Sequence, residues 1–366
     1  MSLFLTAVVR FLFFAGLSIQ MSSAQITAPA DAPRATPVSG AIAGSTIGLH
    51  ATSTMNVASE MGGAFMIPAK CDADGNLYIR KFASDRPLLG PVVKIDPDGK
   101  RIALFDPAAF SKLTLDRADA FSPASDGGMY QIAQSGILNP RIYVLHFSSD
   151  GSPASPTLLD ADFEVYTFAA FAGGNFLVSG MKRDVLDKND RGRNFTAVFS
   201  ADGRELAQLT FPQRREAMKT GAKTGVQKSA LKEVAKAAPS LDLAEAEAGR
   251  DGNLYVMRSS SPPLVYVIAP AGDIMKTIKV AAPLPGGTAR AFHVSGNRLA
   301  ILFWNDDSRQ QIVVIADAQT GRKIASYGDP TGLGPSLACY SADEGVFTFL
   351  KLGEGNALEV IRAEAQ

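Results

Sequence analysis

The core DGNLY of CDADGNLYIR at 71–80 returns in GRDGNLYVMR at 249–258. Two decapeptides this alike, so far apart, constrain the fold more than any bulk property. A chain made of copies must bury each copy against the next. The second half of the first copy, PVVKIDPDGKRIALFD at 91–106, alternates apolar residues, turns at Asp98-Gly99 and alternates again. That is a hairpin whose turn needs positive φ. Comparable hairpins begin at Arg141, Phe195, Leu264 and Gln311. Each is preceded by another strand–turn–strand stretch, as in FSPASDGGMYQIA, AAFAGGNFLVSG and HVSGNRLAILFW. A sixth copy, CYSADEGVFTFLKL, has only one further strand after it, NALEVIRAE.

The residue before each second strand gives a ruler: Asn76, Gly128, Asn175, Asn253, Asn297 and Gly345, at intervals of 52, 47, 78, 44 and 48. The long interval holds a segment without strand character, 212–240. Without it the spacing falls within the roughly 40 to 50 residues of a propeller blade. Each unit supplies four short strands, and a lone four-stranded sheet cannot bury both faces, so radial stacking is expected. The expectation is an all-β, six-bladed β-propeller of four-stranded antiparallel blades. A strand from 40–51 would complete the last blade and close the ring. A seven-bladed ring is the alternative, if 46–70 forms a whole blade.

The pattern Asp-x-x-Gly-Asn-Leu-Tyr followed by a hairpin reading Val-x-x-Ile-Asp-x-Asp-Gly resembles the NHL-type repeat of six-bladed β-propellers. It is carried by DADGNLYIR…VVKIDPDGK and by GRDGNLYVMR; the other units match in outline. The resemblance implies architecture over about 70–366 and leaves chemistry open, because propellers host many functions.

The N-terminus reads differently. Arg10 precedes an apolar run from Phe11 to Ile19, with Ser22 and Ala24 after it. This has the layout of a secretory signal ending at Ala24. The run is shorter than the ~20 residues of a spanning helix, and no later stretch is long and apolar enough to span. Residues 25–45, rich in Ala, Pro, Thr and Ser, read as a flexible linker, and 46–366 as the propeller domain. The expected product is an exported, periplasmic or extracellular monomer without a membrane span in its mature chain. Lys and Arg number 36, as do Asp and Glu. This balance argues against nucleic acid as a partner.

Chemistry is less legible. Cys71 and Cys339 begin the first and last units at nearly equivalent places. Ring closure makes those units neighbours, so a disulfide between them is an expectation. Trp304, the sole tryptophan, stands beside Asp306 and Asp307 at a strand end, a candidate ligand contact. The basic insertion 212–240 carries seven Lys or Arg against two Glu and is read as a solvated loop. None of the three histidines, His50, His146 and His293, has a histidine partner at helical spacing. No nucleophile elbow, phosphate loop or dinucleotide fingerprint occurs, and no cofactor is assigned. The leading reading is therefore a non-enzymatic binding propeller that presents loops to a protein, peptide or cell-envelope ligand. The rival is an enzyme of lactonase or lyase type with a metal in the central channel. By strand position its candidates would be Asp72, Glu164, Glu247 and His293.

Overall fold

The computed structural model describes residues 46–136, 140–160, 164–182, 192–211, 246–258, 260, 262–283, 286–305, 308–328 and 333–366. The segments expected to be signal (1–24), linker (25–45) and basic insertion (212–240) lie outside the described residues.

Strand β1 (Ile47–Asn56) leads through the short helix α1 (Ala58–Met61) into the first sheet. That sheet holds β2 (Phe65–Cys71), β3 (Leu77–Lys81), β4 (Val92–Ile95) and β5 (Arg101–Phe105). The second holds β6 (Arg117–Pro123), β7 (Met129–Ser135), β8 (Arg141–Phe147) and β9 (Thr157–Leu158). The third holds β10 (Glu164–Ala170), β11 (Phe176–Lys182), β12 (Arg193–Phe199) and β13 (Glu205–Gln208). The fourth holds β14 (Ala246–Ala248), β15 (Leu254–Arg258), β16 (Leu264–Ile268) and β17 (Ile274–Lys279). Two further antiparallel groups share one eight-stranded sheet. One is β18 (Thr288–Ser295), β19 (Arg298–Asn305), β20 (Gln310–Asp317) and β21 (Lys323–Gly328). The other is β22 (Ser336–Ser341), β23 (Val346–Leu352) and β24 (Leu358–Ala365), with β1 outermost against β24.

The separate four-stranded sheets thus number four, where the repeat count leads to six. The cause is local: Ile47 and Gly48 of β1 pair in parallel with Tyr327 and Gly328 of β21, which joins two groups at the rim. A seventh blade does not form, because 46–70 supplies β1, α1 and most of β2. The N-terminal strand takes the expected outermost place, but it runs to Asn56 instead of ending at 51.

Side-chain alternation shows why the groups stack. In β3, Leu77 and Ile79 enter a cluster with Leu350, Leu358 and Val360 of the last group. Tyr78, between them in sequence, enters a cluster with Met129, Leu145 and Phe147 of the second. Strands buried on both faces read as apolar runs, not as clean alternation. Each of six apolar clusters joins two groups consecutive in the chain, except one that joins the first to the last. The sheets therefore close on themselves, and the fold is an all-β β-propeller.

The repeated decapeptide has a structural job. Asp72 accepts hydrogen bonds from the backbone N–H of Asp74 (3.1 Å) and Asn76 (3.0 Å), so it shapes its own turn. Gly75 occupies the left-handed position at φ 78°. The Tyr78 hydroxyl reaches Asp72 Oδ2 at 3.2 Å and the Gly127 carbonyl of the next sheet's turn at 3.0 Å. Lys94 Nζ donates to the same carbonyl at 2.9 Å and lies 3.1 Å from Asp72. In the second copy Asn253 Nδ2 and the Tyr255 hydroxyl donate to Asp251 Oδ2, at 2.9 and 3.0 Å. Burial, and then Asp251, push the Tyr255 phenol up to about 12, so it stays a donor at neutral pH.

Candidate functional site

The innermost strands β2, β6, β10, β14, β18 and β22 point their C-terminal ends into one cavity of about 700 Å³. The turns that follow these strands line its mouth. Three strands far apart in sequence build its most buried polar wall. Lys70, 6% exposed on β2, donates from Nζ to the Ala246 carbonyl of β14 at 2.8 Å. Next along β14, Glu247 Oε1 lies 2.6 Å from His293 Nδ1 of β18, and Oε2 accepts from the Val294 N–H at 2.7 Å. The other ring nitrogen, Nε2, donates to the Leu337 carbonyl of β22 at 3.1 Å. Nδ1 lies against the carboxylate without the alignment of a straight hydrogen bond.

Burial alone would push the Glu247 carboxyl up. The facing His293, the Lys70 charge and the Val294 N–H outweigh it and hold the carboxyl below its ordinary value. The geometry therefore favours a carboxylate held by the His293 ring, the Lys70 charge and the Val294 N–H. Through Nε2 on the Leu337 carbonyl and Nδ1 beside Glu247, His293 ties β14, β18 and β22 together.

The mouth is acidic. Carboxylates on the lining are Asp72, Asp74, Asp96, Glu247, Asp343 and Glu344. Asp72 is paired with Lys94 and Glu247 belongs to the buried wall with Lys70, so at the mouth Asp74, Asp96, Asp343 and Glu344 face Arg250 and Arg362. Arg250 pairs with Asp343 at 3.3 Å and Arg362 with Glu344 at 3.5 Å, both at exposed positions where such pairs contribute little. Asp74 is exposed, and Asp96 caps its own hairpin turn through the N–H groups of Asp98 and Lys100.

Of the four channel candidates, Glu247 and His293 meet, and Asp72 lies on the same cavity but faces Lys94. Glu164 is exposed at the start of β10, whereas the cavity touches that strand at Ala170, its far end. Among the described residues no three His, Cys, Asp or Glu side chains gather as metal ligands. Trp304 is half-buried and pairs with Thr288 at the start of β18, while His293–Ser295 at that strand's end line the cavity. Trp304 thus lies away from the cavity, and Asp306 and Asp307 lie outside the described residues. His146 stacks on Tyr130 with ring centroids 4.5 Å apart, which is packing. Cys71 and Cys339 are joined by a disulfide, with Cα atoms 5.7 Å apart, and both residues line the cavity. Sequence reasoning missed Lys70 and Lys94. The available signal was a lysine inside an otherwise apolar strand, FMIPAKC and VVKI, which demands a buried partner.

No protein-family model matches the chain, and no curated protein matches it. Solved structures are similar to it at the level of coarse architecture. A Bacteroides caccae protein of unknown function is 12% identical, with TM-score 0.41, over 71% of this chain and 80% of that one. The Dos1 propeller is 12% identical, with TM-score 0.40, over 79% and 75%. A putative oxidoreductase (glucose dehydrogenase) from Thermus thermophilus is 13% identical, with TM-score 0.41, over 86% and 100%. No helix among the described residues is long and apolar enough to cross a membrane.

Proposed function

We propose that the chain is an exported, monomeric binding module, a six-bladed ring of NHL-like units. Its cavity would take a lysine- or arginine-rich segment of a protein partner. The observation that carries this reading is how the cavity uses its titratable groups. The dyad most like an acid–base pair, Glu247 and His293, is engaged by the Val294 N–H and the Leu337 carbonyl under the Lys70 charge, while at the mouth four carboxylates face two arginines. A cleft of one charge sign concentrates ligands of the opposite sign and steers them in. The six clusters between consecutive groups support counting the eight-stranded sheet as two blades joined at the rim. The signal-like layout of 1–24 supports export.

The test is fluorescence anisotropy with a labelled oligolysine peptide and a labelled oligoglutamate peptide. The oligolysine should bind, more weakly as salt rises, and Asp74→Lys should reduce its affinity. Preference for the anionic peptide, or no binding by either, would overturn the proposal. The enzyme alternative needs a divalent ion. One tightly held ion per purified chain would favour it.

A further inference from the structure

We propose that the Cys71–Cys339 disulfide is a redox latch on the cavity, reducible in the folded protein, and that its reduction loosens the polar wall without opening the ring. The residues form a circuit. Lys70 of β2 reaches Ala246 of β14, and Glu247 of β14 reaches His293 of β18. His293 reaches Leu337 of β22, and Cys339 of β22 returns to Cys71, the neighbour of Lys70. β2 and β22 are edge strands of different sheets and share no backbone ladder. Their spacing at this point rests on side chains and on the one covalent bond. Freeing that bond lets Lys70 and the Leu337 carbonyl shift relative to each other, and the circuit breaks.

Accessibility follows from position. Both cysteines line the cavity; Cys71 is partly exposed, whereas Cys339 is 5% exposed. A thiolate of a small dithiol therefore attacks Cys71 Sγ, the S–S bond breaks, and Cys339 leaves as a thiolate. The second thiolate of the reductant displaces Cys71 and closes its own disulfide. The two protons lost by the reductant's thiols end on the two cysteines.

The ring survives because its ends are tied a second time. β1 pairs with β24 from Leu49–Ala365 through Asn56–Glu359. Val57 donates to the Leu358 carbonyl at 2.9 Å, and Val57 and Met61 pack with Leu358 and Val360.

The experiment treats the oxidised full chain with dithiothreitol, without denaturant. Thiols are alkylated and counted by mass, and hydrogen exchange is compared between oxidised and reduced protein. The chain has only two cysteines, so every thiol that appears reports this bond. Expected are two alkylated thiols, roughly tenfold faster exchange at the Val294 amide, which Glu247 holds, and an unchanged β1–β24 ladder. Three results would each overturn the proposal: no alkylation until denaturant is added, accelerated exchange throughout including β1–β24, or no change at Val294 after reduction.

Discussion

Replacing Glu247 by Gln keeps the side chain's shape and an acceptor for the Val294 N–H. It removes the negative charge that lies 2.6 Å from His293 Nδ1 and faces Lys70. Removing one member of a buried charge set leaves the others uncompensated, which costs roughly 3 to 5 kcal/mol. The expected loss is about 3 kcal/mol, the low end of that range, because Gln retains the backbone hydrogen bond and Glu247 is not wholly sealed from water. The pH dependence fixes the sign. The folded-state carboxyl lies below its ordinary value of 4.5, so its contribution is fully present above that value and is lost as pH falls through the folded pKa. Urea unfolding of wild type and Glu247→Gln, at about pH 7 and about pH 3, measures both effects. The gap between the proteins should be wide at neutral pH and shrink in acid. A neutral-pH gap below about 1 kcal/mol, or one that does not shrink in acid, refutes the idea that Glu247 is held as a carboxylate by the wall.

Tyr78→Phe removes the hydroxyl shared between Asp72 and Gly127 and should destabilise by about 1 to 2 kcal/mol in urea unfolding. Gly203→Ala introduces a side chain at φ 88°, where a Cβ would collide with the Leu158 carbonyl oxygen. The backbone strain alone costs about 1 to 2 kcal/mol, so the variant's unfolding midpoint should fall. Replacing 212–240 by a short Gly/Ser linker should leave the melting temperature within a few degrees, since loop closure cost grows only logarithmically with length. Material exported by the native host should begin near Gln25 on N-terminal sequencing, and an intact Met1 would contradict the signal reading.

The sheets were legible because their cause is local. Alternation around Asp98-Gly99 marks a hairpin without knowledge of its neighbours, and five such hairpins give the strand order. Ring closure was legible by elimination, since the last unit lacks a fourth strand. The parallel pairing of Ile47 and Gly48 with β21 was not, because it depends on the exact entry of β1 at the rim. The cavity wall was legible by half. Glu247 and His293 could be nominated by strand position, but their pairing joins two strands of different sheets, as does the Val294 N–H that reaches Glu247 across 47 residues. The reach of Lys70 to Ala246 spans 176 residues and depends on the ring being closed. The chemistry of a propeller channel is set by which strand ends converge, and no local pattern encodes that.

The central claim is that the cavity binds a cationic segment, and a footprint tests it most directly. Hydrogen exchange would be followed in the free chain and in the presence of excess oligolysine peptide. The account predicts slower exchange confined to the turns at the mouth, chiefly Asp72–Asn76, Ala124–Gly128 and Gly249–Asn253, with the strand end at Trp304 unaffected. Protection centred on Trp304, or no protection at these turns while the peptide is bound, would contradict it.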